Sequence, residues 1–442
     1  MDNNLISLIQ GAGIVGAGGA GFPTHVKVKA KAEYVIVNGA ECEPLLRVDQ
    51  QLMYYKAEEM IIGLKAVVQE TGAKKGIIAL KKKYHAAIEK LEKLTKDDET
   101  IEVFTLGDFY PAGDEQITVY EVLNRIVPEG GIPLQVGVVV INVETLINVY
   151  YAKKGLPVTE KYVTVTGEVN KPVTLKVPLG VSINEMIQLA GGPTVAEFEI
   201  VDGGPMMGKL VEDIHSPITK TTKGLIVLPK EHPLVKGKRK SIEATLREAK
   251  TACCHCSLCT EVCPRNLIGH KLHPDKLMRI ASYNSTCENN SSVTEAFLCC
   301  ECGLCELACI MDLQPWKLNS FLKGRLSAAG IKNDNNRKPE EVNQFRGYRK
   351  FPVKKLIARL SLEKYNVDAP LIESVDETVK GVVLSQKQHI GAMAQPLVQV
   401  GDVVKKGDPV ANVNDGQLGA MIHASISGTV KSINQKGIEI SS

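Results

Sequence analysis

An excess of either charge is lacking in this chain of 442 residues: 53 Lys and Arg stand against 50 Asp and Glu, for a formal net charge of +3. Such a balance gives no electrostatic reason to bind nucleic acid or an anionic membrane. Long apolar runs are missing too. The longest, Val136 to Ile141, is far too short to span a bilayer, so direct membrane insertion is not expected. No N-terminal stretch joins basic residues to an apolar core as an export signal does, which points to a cytoplasmic location. No long-period repeat covers the chain. At roughly 100–200 residues per domain, the length suggests two to four domains.

Cysteine is present but unevenly so. All but one of the twelve lie between Cys253 and Cys309, a crowding that points to metal chemistry in a reducing compartment, not to a disulfide framework. Cys253, Cys256, Cys259 and Cys263 follow C-x2-C-x2-C-x3-C-P, and Cys299, Cys302, Cys305 and Cys309 repeat the spacing without the final proline. Two-residue gaps let a loop wrap three corners of an iron–sulfur cubane, and the fourth thiolate reaches across to a second cluster. The spacing therefore predicts two [4Fe–4S] clusters, one on Cys253, Cys256, Cys259 and Cys309, the other on Cys299, Cys302, Cys305 and Cys263. Structural zinc is the alternative, but zinc sites usually use two pairs of ligands. Cys254 and Cys300 sit off the spacing and read as packing residues; Cys42 and Cys287 stay unassigned. His255, His270 and His273 are not taken as ligands.

The stretch GAGIVGAGGAGFPTH (11–25) contains a literal G-x-G-x-x-G. A dinucleotide-binding turn needs an uninterrupted helix behind it, to aim its N-terminus at the pyrophosphate. Here AGGAGFP follows at once, leaving an extended loop whose bare backbone can approach a planar ring or a phosphate. The preceding residues could form a strand or a capped helix. Farther on, the pattern predicts a helix from Leu52 to Gln69, a strand over 76–80, a helix over 84–94, and buried strands at YVIVN (34–38) and VGVVVIN (136–142). KKK (81–83) reads as a solvated surface. KYVTVTGEVNKPVTLKVPLG (161–180) reads as strand–turn–strand, followed by a short helix that Ser182 caps.

Four segments, GAGGAGFPTHVK (16–27), VNGAECEP (37–44), YPAGDEQ (110–116) and VVINVETL (139–146), occur in order. Together they resemble the flavin- and NADH-binding 51-kDa-type subunit of respiratory complex I. They are closest to the subgroup that holds the RnfC-type component of the Rnf complex and the cobalamin reductases of propanediol-utilisation microcompartments. VDGGPMMGK (201–209) resembles the end of that subgroup's SLBB module. The resemblance implies a multidomain α/β and α+β chain. Its parts are an FMN/NADH-binding domain (1–155), an SLBB β-grasp-like domain (156–238), a two-cluster ferredoxin-like domain (239–330), a linker (331–374) and a barrel-sandwich hybrid (375–442). It further implies that Gly16, Gly18, Gly19 and Gly21 line an FMN and NADH pocket and that Lys27 meets the flavin phosphate. Asn38, Glu41 and Glu43 would lie by the isoalloxazine and nicotinamide. Tyr110, Gly113, Asp114 and Glu115 would occupy the acidic segment, and Asn142 and Thr145 would bond the flavin. Ile141 stands where complex I has the first of two asparagines.

The sandwich module also resembles a biotinyl or lipoyl carrier, yet VNDGQLGAMIHAS (413–425) presents no lysine at the hairpin tip, so covalent carriage is excluded and a docking or structural role is read instead. NADH yields a hydride whereas a cluster takes one electron, and FMN joins the two regimes. The expected function is an NADH-dependent oxidoreductase with cobalamin, or a corrinoid-handling enzyme, as acceptor, inside a microcompartment and beside its proteins. The alternative is the electron-input subunit of an Rnf-type membrane complex. In the Rnf protein the sandwich module usually precedes the glycine loop; here it follows. No D-x-H-x-x-G corrinoid motif is present. A non-enzymatic scaffold is the third reading.

Overall fold

The computed structural model describes residues 4–283, 292–375 and 378–442; Cys287 lies outside them. The chain forms two compact units, each made of separated segments. One comprises Met1–Leu106, Gly137–Lys230 and Lys364–Ser442; the other comprises Gly107–Val136 and Glu231–Glu363.

The first unit holds a parallel sheet in the order Ile101–Leu106, Lys75–Lys81, Tyr34–Gly39, Val138–Asn142. Its strands are rich in Val and Ile because both faces are covered: Val35, Ile36 and Val37 are fully buried. The expected helix over 52–69 is instead two, Val48–Tyr55 and Ala57–Thr71. The break falls at Lys56, whose backbone leaves the helical region (φ −117°, ψ 32°) while its ammonium pairs with Glu373 at 2.9 Å. The second helix packs on Val143–Lys153 at Gly63, where a Cβ would stand 2.1 Å from the Leu146 carbonyl oxygen. Lys81 departs from the expected solvated run. It ends the strand 1 % exposed, while Lys82 and Lys83 are exposed.

A six-stranded sheet follows in the same unit, ordered Leu371–Ile372, Val173–Pro178, Glu160–Gly167, Gly224–Pro229, Phe198–Asp202, Lys209–Leu210. The hairpin read from residues 161–180 is its antiparallel pair Glu160–Gly167 and Val173–Pro178. Ser182 and Glu185 form a reciprocal capping box on the helix Ile183–Leu189. The tail makes two small sheets, one of Gly381–Leu384, Gly437–Ser441, Gly428–Asn434 and Val403–Val404, the other of Gln395–Pro396, Pro409–Asn412 and Ile422–His423.

The second unit is mostly short helices. Phe109–Tyr110 pairs antiparallel with Phe351–Pro352. Leu277, Met278 and Ala281 of the helix Pro274–Ser282 share a core with Leu318, Leu322 and Leu326 of Pro315–Ala328. Each helix starts on proline, whose missing N–H costs nothing at that position.

Candidate functional site

In the first unit the leading residues form a helix, Leu5–Gly11, capped by the Asn4 side chain on the Ile6 amide. Gly11 ends that helix, so nothing in GAGIVG precedes a helix N-terminus as a dinucleotide turn requires. The glycine loop is closed at its base by Gly16 N–H donating to the Phe22 carbonyl at 2.9 Å and by a bridge between Val15 and Pro23. The four predicted glycines divide by environment. A Cβ on Gly21 would meet the Thr221 methyl at 2.8 Å, and one on Gly16 would lie 3.7 Å from Phe22, so these two close the loop. Gly18, Gly19 and Ala20 are exposed, and a Cβ on Gly19 (φ 115°) would meet nothing within 4 Å. A Cβ on Gly18 would point at the Asn142 side chain, 3.6 Å away. A bare, exposed backbone above a polar side chain is the arrangement a planar flavin ring needs.

Below the loop lies an enclosed polar floor. Thr145 Oγ1 accepts the Ala17 amide at 3.0 Å, and Lys161 Nζ donates to the Ala17 carbonyl at 3.4 Å and pairs with Glu144. Asn142 caps the helix Val143–Lys153 through its Oδ1 on the Glu144 amide at 2.9 Å, and its Nδ2 donates to both Asp49 carboxylate oxygens at 3.1 and 3.2 Å. Asp49 pairs with Lys223, whose ammonium is 4.0 Å from Glu41. Glu41 in turn accepts the amides of Asp49 (2.8 Å) and Gln50 (3.2 Å). Burial, followed by the Asp49 charge, pushes the Glu41 carboxyl up. Burial opposes the charge on Lys223, but Asp49 and Glu41 outweigh it and hold the ammonium above its usual range.

Three more predicted residues lie in this unit. Lys27 Nζ donates to the Val140 carbonyl at 2.9 Å, Asn38 Oδ1 accepts the Ala40 amide at 3.3 Å, and Glu43 accepts the amides of Met206 and Met207 at 2.9 and 3.0 Å. Tyr110, Gly113, Asp114 and Glu115 belong to the other unit. There the Tyr110 hydroxyl donates to the Cys302 carbonyl at 2.9 Å, and Asp114 caps the helix Glu115–Leu123 and pairs with Arg265 at 2.7 Å.

The two cysteine runs share one backbone design. His255 and Ser257 in the first run have φ 58° and 60°; Glu301 and Gly303 at the matching positions have φ 58° and 79°. Each run then enters one helical turn, Leu258–Glu261 or Leu304–Leu307. The chain exits differ, because Cys263 leads into Pro264–Leu267 while Cys309 is followed by Asp312 at φ 51°. Cys263 lines one cavity with Cys299, Cys302 and Cys305. Burial pushes the Cys259 thiol up to about 12, helped by Asp275, Cys309 and Cys256 nearby. Burial also raises Cys299 to about 11 and places Cys263 and Cys305 well above the usual thiol range. Among the described residues no three His, Cys, Asp or Glu side chains converge on a point as a single ion requires. Thiols ringing a cavity fit a polynuclear cube better.

Comparison with known proteins gives four profile matches: the Nuo51 FMN-binding domain over residues 9–151, the SLBB domain over 162–210, the 4Fe-4S dicluster domain over 252–314 and the RnfC barrel sandwich hybrid domain over 363–442. Cobalamin reductase PduS of Salmonella typhimurium is 44% identical over 98% of this chain and 95% of its own length, as is that of Citrobacter freundii. The chain belongs to the PduS cobalamin reductase family. A more distant relative, the C component of the Na(+)-translocating ferredoxin:NAD(+) oxidoreductase complex of Acetobacterium woodii, is 35% identical over 66% of this chain and 64% of its own length.

In this PduS-family chain several polar groups at the sites escape a reading of motifs. Asp49, Lys161 and Lys223 of the floor lie outside every quoted flavin segment, and Glu144 carries no signal of its own inside VVINVETL. Arg265, Asn319 and Lys323 beside the cysteines carry no spacing signal; Asn319 Nδ2 lies 3.6 Å from Cys299 Sγ, and Lys323 Nζ donates to the Cys299 carbonyl at 2.9 Å.

Proposed function

We propose that this chain oxidises NADH and delivers the electrons singly to cobalamin, inside a propanediol-utilisation microcompartment and beside its proteins. The flavin supplies the exchange between paired and single electrons, and two [4Fe–4S] clusters supply one-electron storage. Cys263, Cys299, Cys302 and Cys305 hold one cluster; Cys253, Cys256, Cys259 and Cys309 hold the other. Gly18 and Gly19 offer backbone to the flavin ring, with Gly16 and Gly21 shaping the loop. Lys27 answers the flavin phosphate, and Asn142 and Thr145 fix the floor under the ring. Asn38, Glu41 and Glu43 serve the nicotinamide side. Tyr110, Gly113, Asp114 and Glu115 belong to the cysteine-bearing unit, where Tyr110 bonds the Cys302 carbonyl and Asp114 pairs with Arg265, and no flavin or ribose contact is assigned to them.

The observation that carries this reading is the joining, in one chain, of an open glycine loop above a charged floor with two sets of closely spaced thiols. The position of the sandwich module after the other domains supports the cobalamin acceptor over an Rnf-type complex. No helix among the described residues is long and apolar enough to cross a membrane. The test follows NADH oxidation by the anaerobically purified protein against cobalamin and ferredoxin in parallel. Cobalamin reduction is the expected result; turnover with ferredoxin alone would overturn it.

A further inference from the structure

The two cysteine runs have the same backbone and unequal surroundings. In the first run Cys254, His255 and Cys256 are exposed. At the equivalent positions of the second run Cys300 and Glu301 are half-buried and Cys302 is buried, only 8 % exposed, whereas Cys259 and Cys305, which also correspond, are buried alike. Because His255, Ser257, Glu301 and Gly303 repeat the same left-handed turns, the difference comes from what covers each run.

The cover over the second run is specific. Tyr110, itself 1 % exposed, donates its hydroxyl to the Cys302 carbonyl, and Asp114 holds Arg265 against Cys300. Trp316 and Asn319 close the cavity lined by Cys299, Cys302 and Cys305. Lys323 bonds both the Cys299 carbonyl and the Glu301 carboxylate, the latter at 2.7 Å. Tyr110 and Asp114 belong to the segment 107–136 of the same unit as the cysteine runs. Beyond Cys309, which faces Cys259, Ile310 and Met311 are 65 % and 44 % exposed.

We infer that the two thiol sets differ in their access to an acceptor: the set of Cys263, Cys299, Cys302 and Cys305, none of which is exposed, is the inner station, and the set of Cys253, Cys256, Cys259 and Cys309, which reaches solvent at Cys256, is the outer station from which an acceptor takes its electron. One electron leaves the outer station for each one-electron reduction of the acceptor. This inference rests on the reading that the eight thiols hold two clusters in the crossed arrangement. It does not depend on NADH or cobalamin being the donor and acceptor.

The test uses the anaerobically prepared holoprotein reduced with dithionite, so neither nucleotide nor corrinoid enters. Low-temperature electron paramagnetic resonance is recorded with and without a soluble dysprosium chelate, which speeds the spin relaxation of any cluster it can approach. Cys256→Ser marks the outer signal through its altered g-values, and Cys302→Ser marks the inner one. The expected result is a several-fold faster relaxation of the signal that Cys256→Ser alters and little change in the other. An equal response of both signals, or a stronger one in the signal that Cys302→Ser alters, would overturn the inference. Should a serine variant not assemble its cluster, Tyr110→Phe removes the hydroxyl from the Cys302 carbonyl and marks the inner signal instead. The signal it shifts must then be the one the chelate leaves alone.

Discussion

Lys161 and Glu144 form an ion pair whose two side chains are each only 2 % exposed, and the same ammonium reaches the carbonyl of Ala17 in the glycine loop. A pair so enclosed costs much to desolvate, and breaking it leaves an uncompensated charge. Glu144 also accepts the Tyr162 amide at 3.3 Å, so the pair ties the loop, the helix Val143–Lys153 and the strand Glu160–Gly167 together. Lys161→Met is expected to destabilise the protein by about 3–5 kcal/mol and to lower the flavin retained per chain. Lys161→Met with Glu144→Leu should recover part of the stability, since no lone charge remains. Thermal unfolding and flavin absorbance check both, and an unchanged midpoint in Lys161→Met would contradict the role.

The glycines of the loop separate packing from binding. At Gly13 (φ 67°) a Cβ would stand 2.2 Å from the Met421 carbonyl oxygen and 2.8 Å from Lys220 Nζ, so Gly13→Ala must disturb the fold. The left-handed backbone alone costs roughly 1–2 kcal/mol there. At Gly18 the added methyl would make only an ordinary contact with Asn142 at 3.6 Å. Gly18→Ala should keep the unfolding midpoint of the parent yet retain less flavin. Equal loss of stability in both variants would remove Gly18 from the binding surface.

Lys220 gives a pH signature. Its ammonium is enclosed, with the Gly13 and Met421 carbonyls as acceptors at 2.7 and 2.6 Å, and burial lowers its pKa to about 7 from 10.5. Between those two values the unfolded chain holds the proton and the folded chain does not, so stability rises with pH across the window. Below it both states are charged and the burial penalty is felt in full. The stability of the parent minus that of Lys220→Met should therefore increase from pH 7 towards pH 10.5. A difference that stays flat or falls would contradict the assignment.

Crossed ligation makes a pairwise prediction. Cys263→Ser and Cys299→Ser should perturb the same cluster signal, although 35 residues separate them in sequence. Cys309→Ser and Cys256→Ser should perturb the other. If Cys263→Ser and Cys256→Ser instead affect one signal together, each run would hold its own cluster.

What the sequence disclosed follows the range of the forces involved. The cysteine runs are legible because a cubane is wrapped locally, and the turn residues that shape each run lie inside it. The hairpin over 161–180 and the Ser182 cap are legible because turns and caps are local as well. The floor of the glycine loop is not. Lys223 meets Asp49 across 174 positions and Tyr110 meets Cys302 across 192, and no local pattern records such a meeting. Lys81 shows the same limit: three adjacent lysines look alike in sequence, but the first still belongs to a strand covered on both faces and is buried, while the next two lie beyond its end. The helix expected over 52–69 has an uninterrupted apolar period, yet Lys56 bends away to meet Glu373.

The most direct measurement of the central claim is an anaerobic titration of the purified, cofactor-replete protein with NADH, followed by visible absorbance and low-temperature electron paramagnetic resonance together. The account predicts that NADH bleaches the flavin band and brings up iron–sulfur spin signals in the same chain, which cobalamin then discharges. Bleaching with no spin signal, or no response to NADH at all, would contradict it.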